Sequence, residues 1–107
     1  MRYSPWVTMK GIQILSIFCR RLKCLTLLFD ATETQLIDRL PEIFPRHFPQ
    51  RKLKFLDVTF SPIEDHRAVT DVLKSLFPKV RRLSYRQQAQ DEHRVLWWMV
   101  SLELRYF

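Results

Sequence analysis

The residues able to perform acid–base, nucleophilic or metal chemistry are few and scattered. His47, His66 and His93 are the three histidines, and none has a second His or a Cys at ligand spacing. The two cysteines, Cys19 and Cys24, make neither a four-ligand zinc set nor a secreted disulfide framework, and they fit a reducing compartment. Asp65-His66 and Glu92-His93 each set a carboxylate beside an imidazole. Both pairs fall at expected helix starts, where the acid serves the helix dipole, and no nucleophile or oxyanion site adjoins them. There is no G-x-S-x-G, P-loop or dinucleotide fingerprint. Gly11 is the one glycine, so glycine-rich phosphate loops are absent. Trp97-Trp98 has the composition of a ligand clamp, but consecutive residues point to different sides: one Trp is expected to cap the core and the other to lie exposed. The expectation is a non-enzyme with no metal and no cofactor.

Charge is the feature that speaks to function. A formal net charge of +7 favours an acidic partner, whether nucleic acid, an acidic protein face or anionic lipid. The plainer reading is that the basic residues solubilise the outer surface. The longest apolar-rich run, residues 12–19, is interrupted by Gln13 and Ser16 and falls far short of the roughly 20 residues a spanning helix needs. It does not read as a signal peptide either, because Lys10 and Gly11 break it and Arg20-Arg21 follow. No membrane partner and an intracellular location, cytoplasmic or nuclear, are expected. At 107 residues and 47% hydrophobic, the chain is long enough for one domain, residues 1–107, or a piece of a longer one.

The elements that would position these groups alternate in type. Ser4-Pro5 reads as a helix start, and Met9, Ile12, Leu15 and Phe18 recur at every third position up to about Cys19, with Gly11 as a weak point. A strand within the first ten residues is the competing reading. Residues 22–29 alternate, with Leu25, Leu27 and Phe29 on one face. Asp30-Ala31-Thr32 reads as a turn. Thr32 and Gln35 form a weak capping box for a helix striped by Leu36, Ile37, Leu40, Ile43 and Phe44, which Pro41 shortens or kinks. Pro45 and Pro49 keep the next loop extended. Residues 52–60 form a second strand with Leu56, Val58 and Phe60 on one face, broken by Ser61-Pro62. Asp65 opens a helix striped by Val69, Val72, Leu73, Leu76 and Phe77, and Pro78 ends it. Residues 80–86 read as a third strand and 87–90 as polar loop. Asp91-Glu92 start a helix to about Trp98, and residues 100–106 form a last strand with Val100, Leu102, Leu104 and Tyr106 on one face. Such alternation makes parallel strands with helices outside.

One pattern, apolar-x-x-Leu-x-apolar, occurs four times along this scheme: Leu22/Leu25/Leu27, Leu53/Leu56/Val58, Val80/Leu83/Tyr85 and Met99/Leu102/Leu104. Its central leucines are 31, 27 and 19 residues apart. Irregular copies of one unit suggest a stacked array, and arrays of that kind bind macromolecules more often than they catalyse.

On these residues the chain resembles the leucine-rich-repeat proteins. The helix-to-strand joints Phe48-Pro49-Gln50-Arg51-Lys52-Leu53 and Phe77-Pro78-Lys79-Val80 resemble those of the F-box type, and the likeness covers about residues 12–107. The Asn or Cys ladder position after each strand is taken by other residues, and no F-box helix bundle is expected within these 107 residues. The resemblance implies an α/β fold: a short solenoid with parallel strands on one side and helices on the other, residues 1–20 capping its N-terminal end. It also implies a non-enzymatic protein–protein interaction module, such as the substrate-binding repeat region of an F-box-type protein.

In such a solenoid the residues between the inward leucines project from the concave sheet. The expected rows are Thr26, Asp57, Ser84 and Glu103; Cys24, Phe55, Arg82 and Ser101; and Leu28, Thr59, Arg86 and Arg105. From these, Phe55, Asp57, Thr59, Arg82, Ser84, Arg86, Glu103 and Arg105 are the expected partner-binding residues. Neighbours in a row would stand about 4.8 Å apart. Stacking would also align a basic edge of Arg20, Arg21, Arg51, Lys52, Lys79 and Arg81, with Lys23, Lys54, Arg46 and Arg82 beside it. A basic stripe can track phosphates or an acidic protein, so a small nucleic-acid-binding protein is the alternative function. Phe48 and Phe55 are the only evident stacking aromatics, so single-strand recognition is weakly supported. The last strand would leave an uncovered edge open to self-association.

Overall fold

The computed structural model describes residues 7–85 and 91–106, the last of these by its backbone. Along them strands and helices alternate. Strand β1 (Val7–Thr8) leads into helix α1 (Met9–Phe18). Strands β2 (Cys24–Thr26) and β3 (Phe29–Asp30) precede helix α2 (Leu40–Ile43) and a 3-10 turn (Pro45–His47). Strand β4 (Phe55–Asp57) precedes α3 (His66–Leu76), and β5 (Arg82–Ser84) precedes α4 (Asp91–Tyr106).

The strands form two narrow parallel ladders, not a closed sheet. In the first, of order β2-β4-β5, Cys24, Phe55 and Arg82 stand side by side, as do Leu25, Leu56 and Leu83, and Thr26, Asp57 and Ser84. In the second, β1 pairs with β3, and Ala31 bridges to Ile63. Each ladder rung is one pass of the chain, so residues 22–85 advance one strand spacing per pass. The extents of 42 × 38 × 21 Å give a slab whose thinnest dimension fits one layer of strands and one of helices.

The middle pass is the most enclosed because neighbours cover it on both sides. Leu53, Leu56 and Val58 are fully buried, whereas Leu22, Leu25, Leu27, Leu83 and Tyr85 are only half covered. Helix α3 follows its sequence signals. The Asp65 carboxylate accepts the amides of Arg67 and Ala68 at 3.1 Å, and Val69, Val72, Leu73, Leu76 and Phe77 are all buried. Each such side chain contributes about 1.5–3 kcal/mol by leaving water.

Polar side chains join the passes. Gln50, completely buried, donates to the carbonyls of Cys19 and Leu22 at 3.0 Å and accepts the amides of Lys52 and Leu53. Gln13 bonds both the amide and the carbonyl of Ile37. Ser61, three residues past Val58, accepts the Phe29 amide at 3.0 Å and donates to Leu27. These bonds satisfy backbone groups that ladders of two or three residues leave unpaired.

Several expectations are corrected. Residues 100–106 are helical, not a strand. Trp97, Val100, Ser101 and Leu104 are buried at spacings of three and four, no turn residue separates Trp98 from Val100, and the alternation of Val100, Leu102 and Leu104 does not distinguish strand from helix over so short a run. The fourth leucine, Leu102, therefore leaves the ladder, and the proposed C-terminal edge strand does not form. Helix α4 packs on α3 and β5 instead.

Helix α1 starts at Met9, not at Ser4-Pro5 (which lie outside the described residues), because Val7–Thr8 pairs with β3 and Thr8 caps the helix. The helix expected from Thr32 shrinks to Leu40–Ile43. Pro41 lies in its first turn, where the missing N–H costs nothing, so it starts the helix rather than shortening it. Asp30 ends strand β3 and Ala31 forms an isolated bridge to Ile63, and Asp30 Oδ1 accepts the Thr32 amide just beyond. Pro45 begins the 3-10 turn instead of an extended loop. Phe60 does not share the buried face of Leu56 and Val58: its φ is +66° and it is 51% exposed.

Candidate functional site

The ladder β2-β4-β5 presents its open face through short side chains and a few large ones. Parallel register sets Thr26, Asp57 and Ser84 in one row and Cys24, Phe55 and Arg82 in the next, as the spacing of the apolar pattern predicts. Cys24 is exposed and Cys19 half-buried, both as free thiols. The rows end sooner than expected. Glu103 and Arg105 are on α4, and Ser101, also on α4, is buried. Glu103 Oε1 lies 3.7 Å from His66 Nδ1 at the start of α3, so it joins two helices and does not extend the face. Arg86 lies outside the described residues.

Two hollows divide this face. One, of about 590 Å³, is lined by Thr26, Leu27, Leu28, Asp57, Thr59, Phe60 and Ser84. Its floor is built by a local device: Asp57 Oδ1 accepts both the amide of Thr59, at 3.0 Å, and its hydroxyl. The same Asp-x-Thr turn occurs one pass earlier at Asp30 and Thr32. Phe60 stands on the rim, with a left-handed backbone that costs a non-glycine residue roughly 1–2 kcal/mol.

The second hollow, about 630 Å³, lies between β5 and α4. It gathers Phe55, Arg82, Leu83, Ser84, Tyr85, Arg94, Ser101 and Arg105. Thus Arg105 does join Phe55, Arg82 and Ser84, but from a helix across the groove and not from a fourth strand.

The basic edge forms in part. The Lys54 amide donates to the Lys23 carbonyl at 2.9 Å, and the Arg81 amide to the Lys54 carbonyl at 3.1 Å. Lys23, Lys54 and Arg81 therefore continue the register toward the strand N-termini, and Lys54, Lys79, Arg81 and Arg82 line a shallow concavity of about 410 Å³. Arg21, Arg51, Lys52, Lys79 and Arg81 are exposed. Arg81 also donates to the carbonyls of Pro78 and Val80. Arg20 does not belong to an open edge, because its guanidinium donates to the carbonyls of Ser16 and His47 and staples α1 to the 3-10 turn.

Among the described residues no group of His, Cys, Asp and Glu is arranged to hold a metal ion, and no helix is long and apolar enough to cross a membrane. No protein-family model matches the chain, and neither a curated protein nor a solved structure matches it. The site is therefore defined by its own geometry.

Sequence reasoning missed Phe60, Tyr85 and Arg94 as site residues. Ser61-Pro62 directly after Phe60 was the available signal for the turn that exposes it. Nothing in the spacing could bring Arg94 to β5.

Proposed function

We propose that this chain is a non-enzymatic, leucine-rich-repeat-like interaction module that docks a protein on the open face of β2-β4-β5. The observation that carries the reading is Phe60, a half-exposed aromatic residue kept at φ +66° on the rim of a hollow that it shares with Leu28. Phe60 is neither in the buried core cluster nor among the half-buried residues packed on it, and a strained backbone at a surface hollow is characteristic of binding sites. A large apolar anchor beside hydrogen-bonding neighbours such as Thr26 and Asp57 is what a protein hot spot uses.

The repeat likeness is supported by three copies of the apolar-x-x-Leu-x-apolar pattern in lateral register. It is supported also by Ser61, which bonds backbone groups of the preceding pass from the position where leucine-rich repeats carry their ladder residue. On this reading the chain is a short solenoid, of the kind with which F-box-type proteins hold their substrates. Two free cysteines suit a reducing compartment, the cytoplasm or nucleus.

The test is a photo-crosslinking residue placed at Thr26, on the open face, or at Asp71, on the exposed side of α3, in cell extract. A discrete protein adduct from Thr26 alone, abolished by Phe60→Ser, is the expected outcome. Equal adducts from both positions would overturn the assignment of the face.

A further inference from the structure

We infer that the groove between β5 and α4 is a binding site for single-stranded nucleic acid that adjoins the protein-docking hollow at Phe60 along Ser84, which lines both. Arg94, Ser101 and Arg105 fall seven and four residues apart, on one face of α4. The two arginines are thus separated by roughly 16 Å along the helix. Arg82 faces them from β5, and all three arginines line one hollow of about 630 Å³ that has no carboxylate side chain among its described lining residues. Arg94 is paired with Asp91 at 3.3 Å; among the described residues neither Arg82 nor Arg105 has a carboxylate partner. Guanidinium forks suit phosphate oxygens.

Two aromatic residues, Phe55 and Tyr85, line the same groove. A basic groove with aromatic walls is the combination that seats a single strand, with phosphates on the cations and bases stacked on the rings. This second feature decides the class of ligand. An acidic peptide would satisfy the arginines but offers no aromatic face by virtue of its charge, and a duplex keeps its base faces stacked inside. The cations continue past the groove through Arg82 to Lys54, Lys79 and Arg81, which extends the track for the backbone.

The experiment is fluorescence anisotropy of a labelled 12-nucleotide oligo-uridylate with the full chain. Phosphate contacts to the three groove arginines alone predict that affinity falls at least about 20-fold between 50 and 200 mM salt. Arg82→Ala with Arg105→Ala should flatten that salt dependence, whereas Lys10→Ala, which removes an exposed charge from α1, should not. Phe55→Leu should weaken binding about 5-fold or more with the salt slope unchanged, because it removes stacking and no charge. A wild-type competition needs no variant: oligo-uridylate should be displaced by unlabelled single strand but far less by poly-glutamate or duplex RNA. Equal competition by poly-glutamate, tighter binding of duplex, or an equal loss with Lys10→Ala would each overturn the proposal.

Discussion

The Ser61 hydroxyl accepts the amide of Phe29 at 3.0 Å, across two passes of the chain, while the Ser61 carbonyl accepts the indole of Trp97 at 2.9 Å. One residue therefore ties β3, the end of the β4 pass and α4 together. Ser61→Ala leaves the buried Phe29 amide without its partner, at a cost of about 1–3 kcal/mol. Urea denaturation followed by tryptophan emission should show a lower midpoint with an unchanged slope.

Trp97 and Trp98 are consecutive and differ in role. Trp97 is 0% exposed and packs edge-on to Phe29 at 5.9 Å, whereas Trp98 is 49% exposed. Trp97→Ala should cost about 3–5 kcal/mol and Trp98→Ala about 0.5 kcal/mol or less. Paired denaturation curves check this, and equal losses would place the helix differently.

Phe60 tests the separation of function from stability. Phe60→Gly relieves a left-handed backbone worth roughly 1–2 kcal/mol and restores unfolded-chain freedom worth about 0.5–1 kcal/mol. The variant should be as stable as the wild type or slightly more so by thermal unfolding, yet lose the crosslink from Thr26. A clear drop in stability would mean that the ring serves the fold.

Asp65→Ala removes the carboxylate that caps α3 and should cost about 1 kcal/mol, whereas Asp65→Asn should restore most of it. Melting followed by far-ultraviolet circular dichroism distinguishes the two. An equal loss in both would assign the effect to charge and not to the cap.

A methyl group on Gly11 would come within 2.5 Å of Val7 Cγ1, which belongs to β1. Gly11→Ala gains about 1 kcal/mol of helix propensity, but overpacking of this kind costs about 1–3 kcal/mol. The variant should be no more stable than the wild type. A gain near 1 kcal/mol would show that β1 yields.

Local chemistry made much of the framework legible. Apolar residues at the positions of Leu53, Leu56 and Val58 specify a buried strand, and Asp65 followed by Val69, Val72, Leu73 and Leu76 specifies a capped amphipathic helix. Both signals act within a few residues, so neighbours far along the chain do not alter them. The lateral register of Leu25, Leu56 and Leu83 was legible for the same reason, because equivalent units stack in equivalent ways. Residues 100–106 were not legible: a short apolar run satisfies both periods, and burial of Trp97 against Phe29 and Ser61 selects the helix. Only packing of α4 against α3 and β5 brings Arg94 and Arg105 to face Arg82, since side chains separated by a dozen or more residues meet through the path of the whole chain and not through their spacing.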